Sequence, residues 1–357
     1  MTERINVVGA GVIGASIAYR LAQGGAEVTL IDAATPASGA SGRSFGWINA
    51  SFSLNARHFG FRVAAMAAHH RLAVDLGDTA TTWPGTLAWD EVGAAQDQTF
   101  TRLTEAGYPV RRLSRAEFRA LEPAIATPPE TALHYPTEGV TDLAGLTHRL
   151  IAGAARHGAR VLLGLPVTGI TTRAGRITGL ATAEGQLPAD RVVLAAGTGT
   201  PDLLAPLGLA LPMLHRPAII LRTQSLPPLL NHILVTPAME IRQEPDGRIL
   251  APTSPNHQAD DATDLAAPPE ALADEAIRHI AELLPGAAPR WQEALRAFRP
   301  VPGDGLPVMG EVAEGLYLAV MHSGATLAAL AGELAAREII GGSDEPLLAP
   351  YRPGRFG

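Results

Sequence analysis

Residues 5–32 decide the fold. Ile5-Asn6-Val7-Val8 runs into Gly9-Ala10-Gly11-Val12-Ile13-Gly14, then Ala15 to Gln23, then Gly24-Gly25, and Glu27-Val28-Thr29-Leu30-Ile31 ends in Asp32. The first and last segments are apolar and rich in β-branched residues, which reads as strand. Between them Ala15, Ala18, Leu21 and Ala22 recur at helical spacing, and the glycine pair stops the helix. The stretch predicts a complete β-α-β unit. Gly9 permits its tight turn, Gly11 lets a pyrophosphate approach the backbone, and Gly14 lets the helix pack closely on the strand. The helix N-terminus adds free N–H groups and a partial positive charge for phosphates. Asp32, 18 residues after Gly14, is placed to accept hydrogen bonds from ribose hydroxyls. A dinucleotide is the expected ligand, held by Gly9, Gly11, Val12, Ile13, Gly14, Asp32 and Ala33, and this unit alone does not choose between NAD and FAD.

The next fifteen residues bear on that choice. Ala33-Ala34-Thr35-Pro36-Ala37-Ser38-Gly39-Ala40-Ser41-Gly42-Arg43-Ser44-Phe45-Gly46-Trp47 is mostly small residues, several with hydroxyls. An NAD-binding sheet would normally return to a crossover helix here, whereas this loop offers backbone donors that can lie against a cofactor. The competing reading is a surface linker, and Phe45, Trp47 and Ile48 would be costly to leave in water.

Composition narrows the chemistry. At 357 residues the chain exceeds one typical core, and 46% hydrophobic content makes it a folded globular protein. A net charge of −7 with no long basic run argues against nucleic acid as a partner. Cysteine is absent, which removes disulfides, thiolate metal sites and redox-active dithiols; no metal site is expected. All 28 basic residues other than histidine are arginine, so Schiff-base catalysis and P-loop phosphate binding are excluded. Redox chemistry must come from a bound cofactor. Met1-Thr2-Glu3-Arg4 runs straight into the first strand without a secretory pattern, and the most apolar stretches carry Pro and charge. A cytoplasmic protein without a transmembrane segment is expected.

The opening GAGVIGASIAYRLAQGGAEVTLID and the ASGASGRS loop resemble the adenine and flavin loops of the D-amino-acid oxidase superfamily, which includes glycine oxidase, sarcosine oxidase and D-amino-acid dehydrogenase. The resemblance covers most of the chain. Gly139-Val140-Thr141-Asp142-Leu143 leads into a helix to His157, followed by Ala159-Arg160-Val161 and Pro166-Val167-Thr168-Gly169-Ile170. Arg191 to Thr198, with Ala196 and Gly197, is similar to the strand that closes over the cofactor. Phe298-Arg299-Pro300-Val301-Pro302-Gly303-Asp304-Gly305-Leu306-Pro307-Val308-Met309-Gly310 resembles the family's RPxxxDGxPxxG signature. Met321-His322-Ser323-Gly324-Ala325-Thr326, leading into Leu327, resembles its GHSGxG turn. Met321 stands where the family usually has Gly, and Ala325 and Thr326 fill positions often held by Gly, which implies either a tighter flavin pocket or a differently placed flavin tail.

The resemblance implies an α/β fold in which a Rossmann-like FAD-binding domain (1–80, 138–208 and 297–345) is interleaved with a mixed-sheet α+β substrate domain (81–137 and 209–296), as in glycine oxidase. Within the second domain, Met213 to Leu221 and Ile233 to Leu250 alternate like strands, with Pro245-Asp246-Gly247 as a turn. Residues 346–357 form a C-terminal tail, and the chain after Gly341 is expected to wrap loosely over the surface. FAD is implied, bound non-covalently. Ser41, Gly42, Arg43, Ser44, Phe45 and Gly46 would contact it from the loop, the backbone at Val167 would meet the adenine, and Ser323, Gly324, Ala325, Thr326 and Leu327 would face the flavin ring.

Three residues are the catalytic candidates. At the place of Arg299, an arginine of amino-acid oxidases clamps the substrate carboxylate, a task suited to its two parallel charge-assisted bonds; the competing reading is an ion pair with Asp304. Arg242 is a second candidate anion contact or a solvent-facing residue, and His322 either orients substrate or is structural. The implied reaction takes the Cα hydrogen of a small amine or amino acid as hydride, leaving an imine that water hydrolyses. Oxygen or another electron acceptor completes the cycle. Sarcosine-type oxidases use a lysine near the flavin for oxygen, and this chain has none, which favours a dehydrogenase. A tyrosine that often shares the carboxylate has no clear match, Met239-Glu240 standing near its place. A 2-hydroxy-acid dehydrogenase on the same fold, a non-catalytic redox sensor and an NAD dehydrogenase are the alternatives.

Overall fold

The computed structural model describes residues 3–254 and 261–357. β1 (Arg4–Val8), α1 (Val12–Gln23) and β2 (Glu27–Asp32) form as the opening stretch predicts, with the two strands parallel. They lie in a six-stranded sheet ordered Val308–Ala313, Leu316–Val320, Arg191–Leu194, β1, β2, Arg160–Leu163. All neighbours are parallel except Val308–Ala313, which runs antiparallel to Leu316–Val320. Parallel strands need both faces covered, and their near-continuous apolar composition shows it. One face carries α1, the helix Leu143–Arg156 and the closing helix Gly324–Gly341, with α2 (Ala56–Leu76) packed against that closing helix. The other carries a three-stranded antiparallel sheet, Val167–Arg173, Arg176–Thr182 and Gly185–Pro188. Asp142 caps the helix Leu143–Arg156 by accepting from Gly145 N at 3.0 Å.

The second large sheet has eight strands, ordered Trp291–Phe298, Pro217–Ser225, Arg248–Pro252, Glu240–Gln243, Ile233–Val235, Thr86–Ala88, Thr131–Tyr135, Arg111–Ser114. It is mixed, because Ile233–Val235 runs parallel to Thr86–Ala88 while the other pairs are antiparallel. The fold is thus the α/β arrangement expected, a Rossmann-like layer with a mixed sheet beside it. Side-chain alternation assigns the two faces. Ile220, Ile233, Val235 and Leu250 pack toward the cofactor loop with Phe45, Trp47 and Ile48. Leu221, Leu234, Ile249 and Ala251 pack on the other side, with the helix Pro269–Leu283. The run from 233 to 250 forms three strands, and the turn expected at Pro245-Asp246-Gly247 joins the last two. Trp47–Ile48, Gly139–Thr141 and Thr81–Thr82 form a small antiparallel sheet where the chain passes between the two large ones.

The expectation of a loosely wrapped tail is corrected. Leu348 and Tyr351 are buried in the main core, with the Tyr351 ring 4.6 Å from that of Phe61. Arg352 donates to Glu338 at 2.9 Å, and Arg355 grips both oxygens of Asp304 at 2.7 and 3.0 Å. Proline and glycine there shape tight 3-10 turns that carry the anchors inward. Among the described residues no helix is long and apolar enough to cross a membrane.

Candidate functional site

The Gly9–Gly14 turn sits at the C-terminal ends of the parallel strands, where open α/β sheets bind ligands. Gly9 has φ +110°, and a Cβ on it would collide with the Ala195 carbonyl. A Cβ on Gly14 would collide with the carbonyl of Gly9, so α1 approaches its turn only because both residues lack side chains. Asp32 closes the turn: its Oδ2 accepts from Ala10 N at 2.6 Å and its Oδ1 from Ala34 N at 2.8 Å. Ser41 Oγ accepts from Val12 N at 3.0 Å, bringing the loop onto the helix start.

From this turn an elongated groove runs to the mixed sheet as two adjoining cavities, of about 840 and 780 Å³, each partly open to solvent. They share Val12, Ile13, Ala40, Ser41, Pro300 and Met321. The first is walled by Gly9, Gly11, Asp32, Ala196 and Gly197, which suits a nucleotide. The second is walled by Arg43, Ser44, Phe45, Gly46 and Trp47 from the loop after β2 and by Arg299, His322, Ser323, Gly324 and Ala325 from the C-terminal part of the chain. Loops from opposite ends of the chain therefore converge on one groove. The glycine cradle, the free N–H groups at the start of α1 and the acid at the end of β2 fit the phosphates and ribose of a dinucleotide. The adjoining space, lined by Phe45, Trp47, Leu143 and Met321, is apolar enough to take a ring system.

Some predicted contacts stand back from the groove. Gly14 lies behind Gly9, and Gly42 is pinned beneath the Ala37 carbonyl by a contact that no Cβ would allow. Ala33 is exposed just beyond β2. Val167 opens its strand two residues after Leu165, whose N–H bonds the Asp32 carbonyl at 3.0 Å. Thr326 and Leu327 are fully buried in the helix behind the wall. Arg43 donates to the Gly39 carbonyl at 3.2 Å and to that of Ser38, folding the loop on itself.

Arg242 does not join Arg299 in the groove. Its Nε donates to the Phe45 carbonyl at 2.7 Å and its Nη2 to Glu244 at 3.2 Å, and it lines another cavity beside His232 and Gln243. Burial holds its pKa below the ordinary value. In this position it clamps the loop rather than facing the ring end. Arg299 is buried and lines the ring end; its backbone N–H is fixed to the Arg216 carbonyl at 2.9 Å. Asp304, the partner in the competing reading, accepts from Arg355 through both of its oxygens. His322 shares a 3.3 Å hydrogen bond with Ser323 Oγ.

Two buried ionisable groups escaped the sequence reading. Arg62, on α2 and 1% exposed, lines the groove. Its Nε donates to Asn49 O at 2.9 Å, its Nη1 to Ser323 Oγ at 2.8 Å, and its Nη2 to Asn49 Oδ1 and, at 3.4 Å, to Thr326 Oγ1. Glu138 accepts from Trp47 Nε1 at 2.9 Å, Tyr108 Oη at 2.9 Å and Ser51 N at 3.2 Å, and so fixes the indole that walls the ring end. Desolvation pushes its carboxyl pKa up. His58, Arg62 and His69 are spaced by four and seven along the buried face of α2, a polar set on an apolar stripe that marks this region in the sequence.

His69 shows the protonation state of that helix. Its Nε2 contacts the carbonyls of Ala325 and Thr326 at 2.8 and 3.1 Å, and carbonyls only accept, so Nε2 carries the proton. Nδ1 is buried without a partner, as a neutral ring requires. Burial lowers the pKa of His69 to about 4, and likewise that of His58. Below the ordinary value of 6.5 the unfolded chain takes up protons that the folded one refuses, until the pH reaches the folded values. Stability will therefore fall as pH drops from 6.5 toward 4, by up to about 1.4 kcal/mol per pH unit for each such histidine. Urea unfolding at several pH values checks this, and His69→Gln should flatten the decline; an undiminished slope in that variant refutes the assignment.

Comparison with known proteins agrees with this geometry. The family profile described as DAO, FAD dependent oxidoreductase, matches residues 4–338. The chain is similar to a glycine oxidase of Pseudomonas aeruginosa, with 28% identity over 378 residues and 99% of each chain covered. It is similar to a D-amino acid dehydrogenase of Methylobacterium nodulans, with 31% identity over 255 residues, covering 68% of this chain and 59% of that protein. Among solved structures, glycine oxidase from Geobacillus kaustophilus superposes with a TM-score of 0.85 at 25% identity, covering 98% of both chains.

Proposed function

The chain belongs to the DAO family of FAD-dependent oxidoreductases, and from that premise we propose that it dehydrogenates a small, carboxylate-bearing amine at the carbon next to nitrogen. FAD, when bound, supplies the hydride acceptor. The single observation that carries the substrate reading is Arg299, a buried arginine that lines the ring end together with Phe45 and Trp47.

Each wall has a task. Arg299 binds the substrate carboxylate with its planar fork and so fixes which carbon faces the ring. Trp47, held by Glu138, and Phe45, held through its carbonyl by Arg242, exclude water and hold the facing side of the site. His322 and Ser323 offer polar atoms beside the substrate nitrogen. No side-chain base is required if the amine arrives neutral, and the imine left behind is hydrolysed by water. We place the adenosine end against Asp32 and the backbone near Val167, with non-covalent attachment in keeping with a chain that has no cysteine. The absence of lysine favours a dehydrogenase that passes electrons to an acceptor other than oxygen.

Anaerobic mixing of the purified yellow protein with amines, D- and L-amino acids, N-methyl amino acids and 2-hydroxy acids tests this directly. Bleaching of the flavin by a carboxylated amine is expected, followed by slow recovery in air and fast recovery with a quinone. Bleaching by hydroxy acids alone would transfer the fold to alcohol oxidation. Recovery in air as fast as with the quinone would make the protein an oxidase.

A further inference from the structure

We infer that Arg62 is the residue that sets the reduction potential of the bound flavin, by holding an unneutralised positive charge at the ring end of the groove. The inference rests on the flavin occupying that groove, as the functional reading has it. The guanidinium is 1% exposed, and every acceptor it contacts is neutral: the Asn49 carbonyl, the Asn49 side-chain oxygen, Ser323 Oγ and Thr326 Oγ1. A buried arginine is normally matched by a carboxylate, since an unmatched charge is costly to desolvate. Here the carboxylate that acts on it is Glu138, which is spoken for by Trp47, Tyr108 and Ser51. Burial lowers the Arg62 pKa to about 10, which leaves it charged at neutral pH.

The neighbouring helix adds to the same sign. Ser323 is the N-cap of the closing helix Gly324–Gly341 and adopts φ +59°. Its hydroxyl does not cap the helix but accepts from Arg62. The first-turn N–H groups therefore keep their partial positive charge, and Gly324 and Ala325, which carry two of them, line the groove with Arg62. Hydride transfer brings two electrons and one proton to the ring and so adds one negative charge. A fixed, buried cation beside that charge stabilises the reduced form more than the oxidised one. Arg62 is a positioning and charge-setting residue, since its effect passes through the field and through Ser323.

The test is the midpoint potential of the flavin in the purified holoprotein without substrate, equilibrated against a reference dye with xanthine and xanthine oxidase as reductant. Arg62→Met and Arg62→Gln, which remove the charge, should disfavour the reduced form about a hundredfold, which is about 60 mV for a two-electron couple. Arg62→Lys, which keeps the charge without the fork, should recover most of that shift. Retention of flavin by Arg62→Lys alone would also support a need for charge. A potential within twofold of the parent in the uncharged variants would overturn the inference, and so would loss of flavin from charged and uncharged variants alike, which marks a packing role. A colourless parent protein would instead sink the placement of the flavin itself.

Discussion

Arg299→Leu should lower kcat/KM for a carboxylated amine by roughly 30-fold to several thousand-fold, the equivalent of about 2–5 kcal/mol for truncating one partner of a desolvated charge pair. The protein should stay yellow, because Arg299 lines the ring end away from the phosphate turn. Its setting makes the effect large: the residue is buried, and its backbone is pinned to Arg216, so the side chain enters the groove from a fixed point. Steady-state rates of the variant against carboxylated and decarboxylated forms of the same amine provide the check. Equal losses on both forms would remove Arg299 from carboxylate binding.

Gly14→Val should abolish flavin binding and cost about 3 kcal/mol or more of stability, the upper range for overpacking. Even the Cβ of an alanine there would collide with the Gly9 carbonyl, and the Ala195 side chain closes the space at 3.3 Å. Relief requires α1 to move off β1, which carries its N-terminal N–H groups away from the phosphates. Gly60→Ala is the matched control, since a Cβ there meets nothing within 4 Å; it should keep the flavin and gain about 0.5–1 kcal/mol. Released FAD after denaturation, measured per mole of protein, decides the outcome. A full complement of FAD in Gly14→Val would refute the close-packing argument.

What could be read in advance depended on how far apart the partners lie. The β-α-β unit was legible because its turn, helix and acid are contiguous and each glycine answers a local steric demand. Phe45, Trp47 and Ile48 exposed the cofactor loop as something more than a linker, since three large apolar groups in a row of small ones need a core to enter. The tail misled, because Pro and Gly at 350, 353 and 354 have the composition of a loop, while Leu348 enters the main core and Tyr351 finds its ring partner Phe61 on a helix hundreds of residues earlier. Arg62 was missed for the converse reason. A charge in a helix ordinarily reads as a solvated face, and only the register of His58, Arg62 and His69 reveals that this face is inside. Arg242 had the right chemistry for an anion contact, but a buried carbonyl and a nearby carboxylate claim it.

The pairing of β1 with Arg191–Leu194 has a bearing on how the molecule is made. The leading strand meets β2 almost at once, yet its other flank waits until more than half of the polypeptide has left the ribosome. Until then one row of backbone groups on an apolar ribbon is open to any stray strand, and the groove has only its first wall. Assembly should accordingly be slow and sensitive to concentration, with the vitamin-derived ligand captured late.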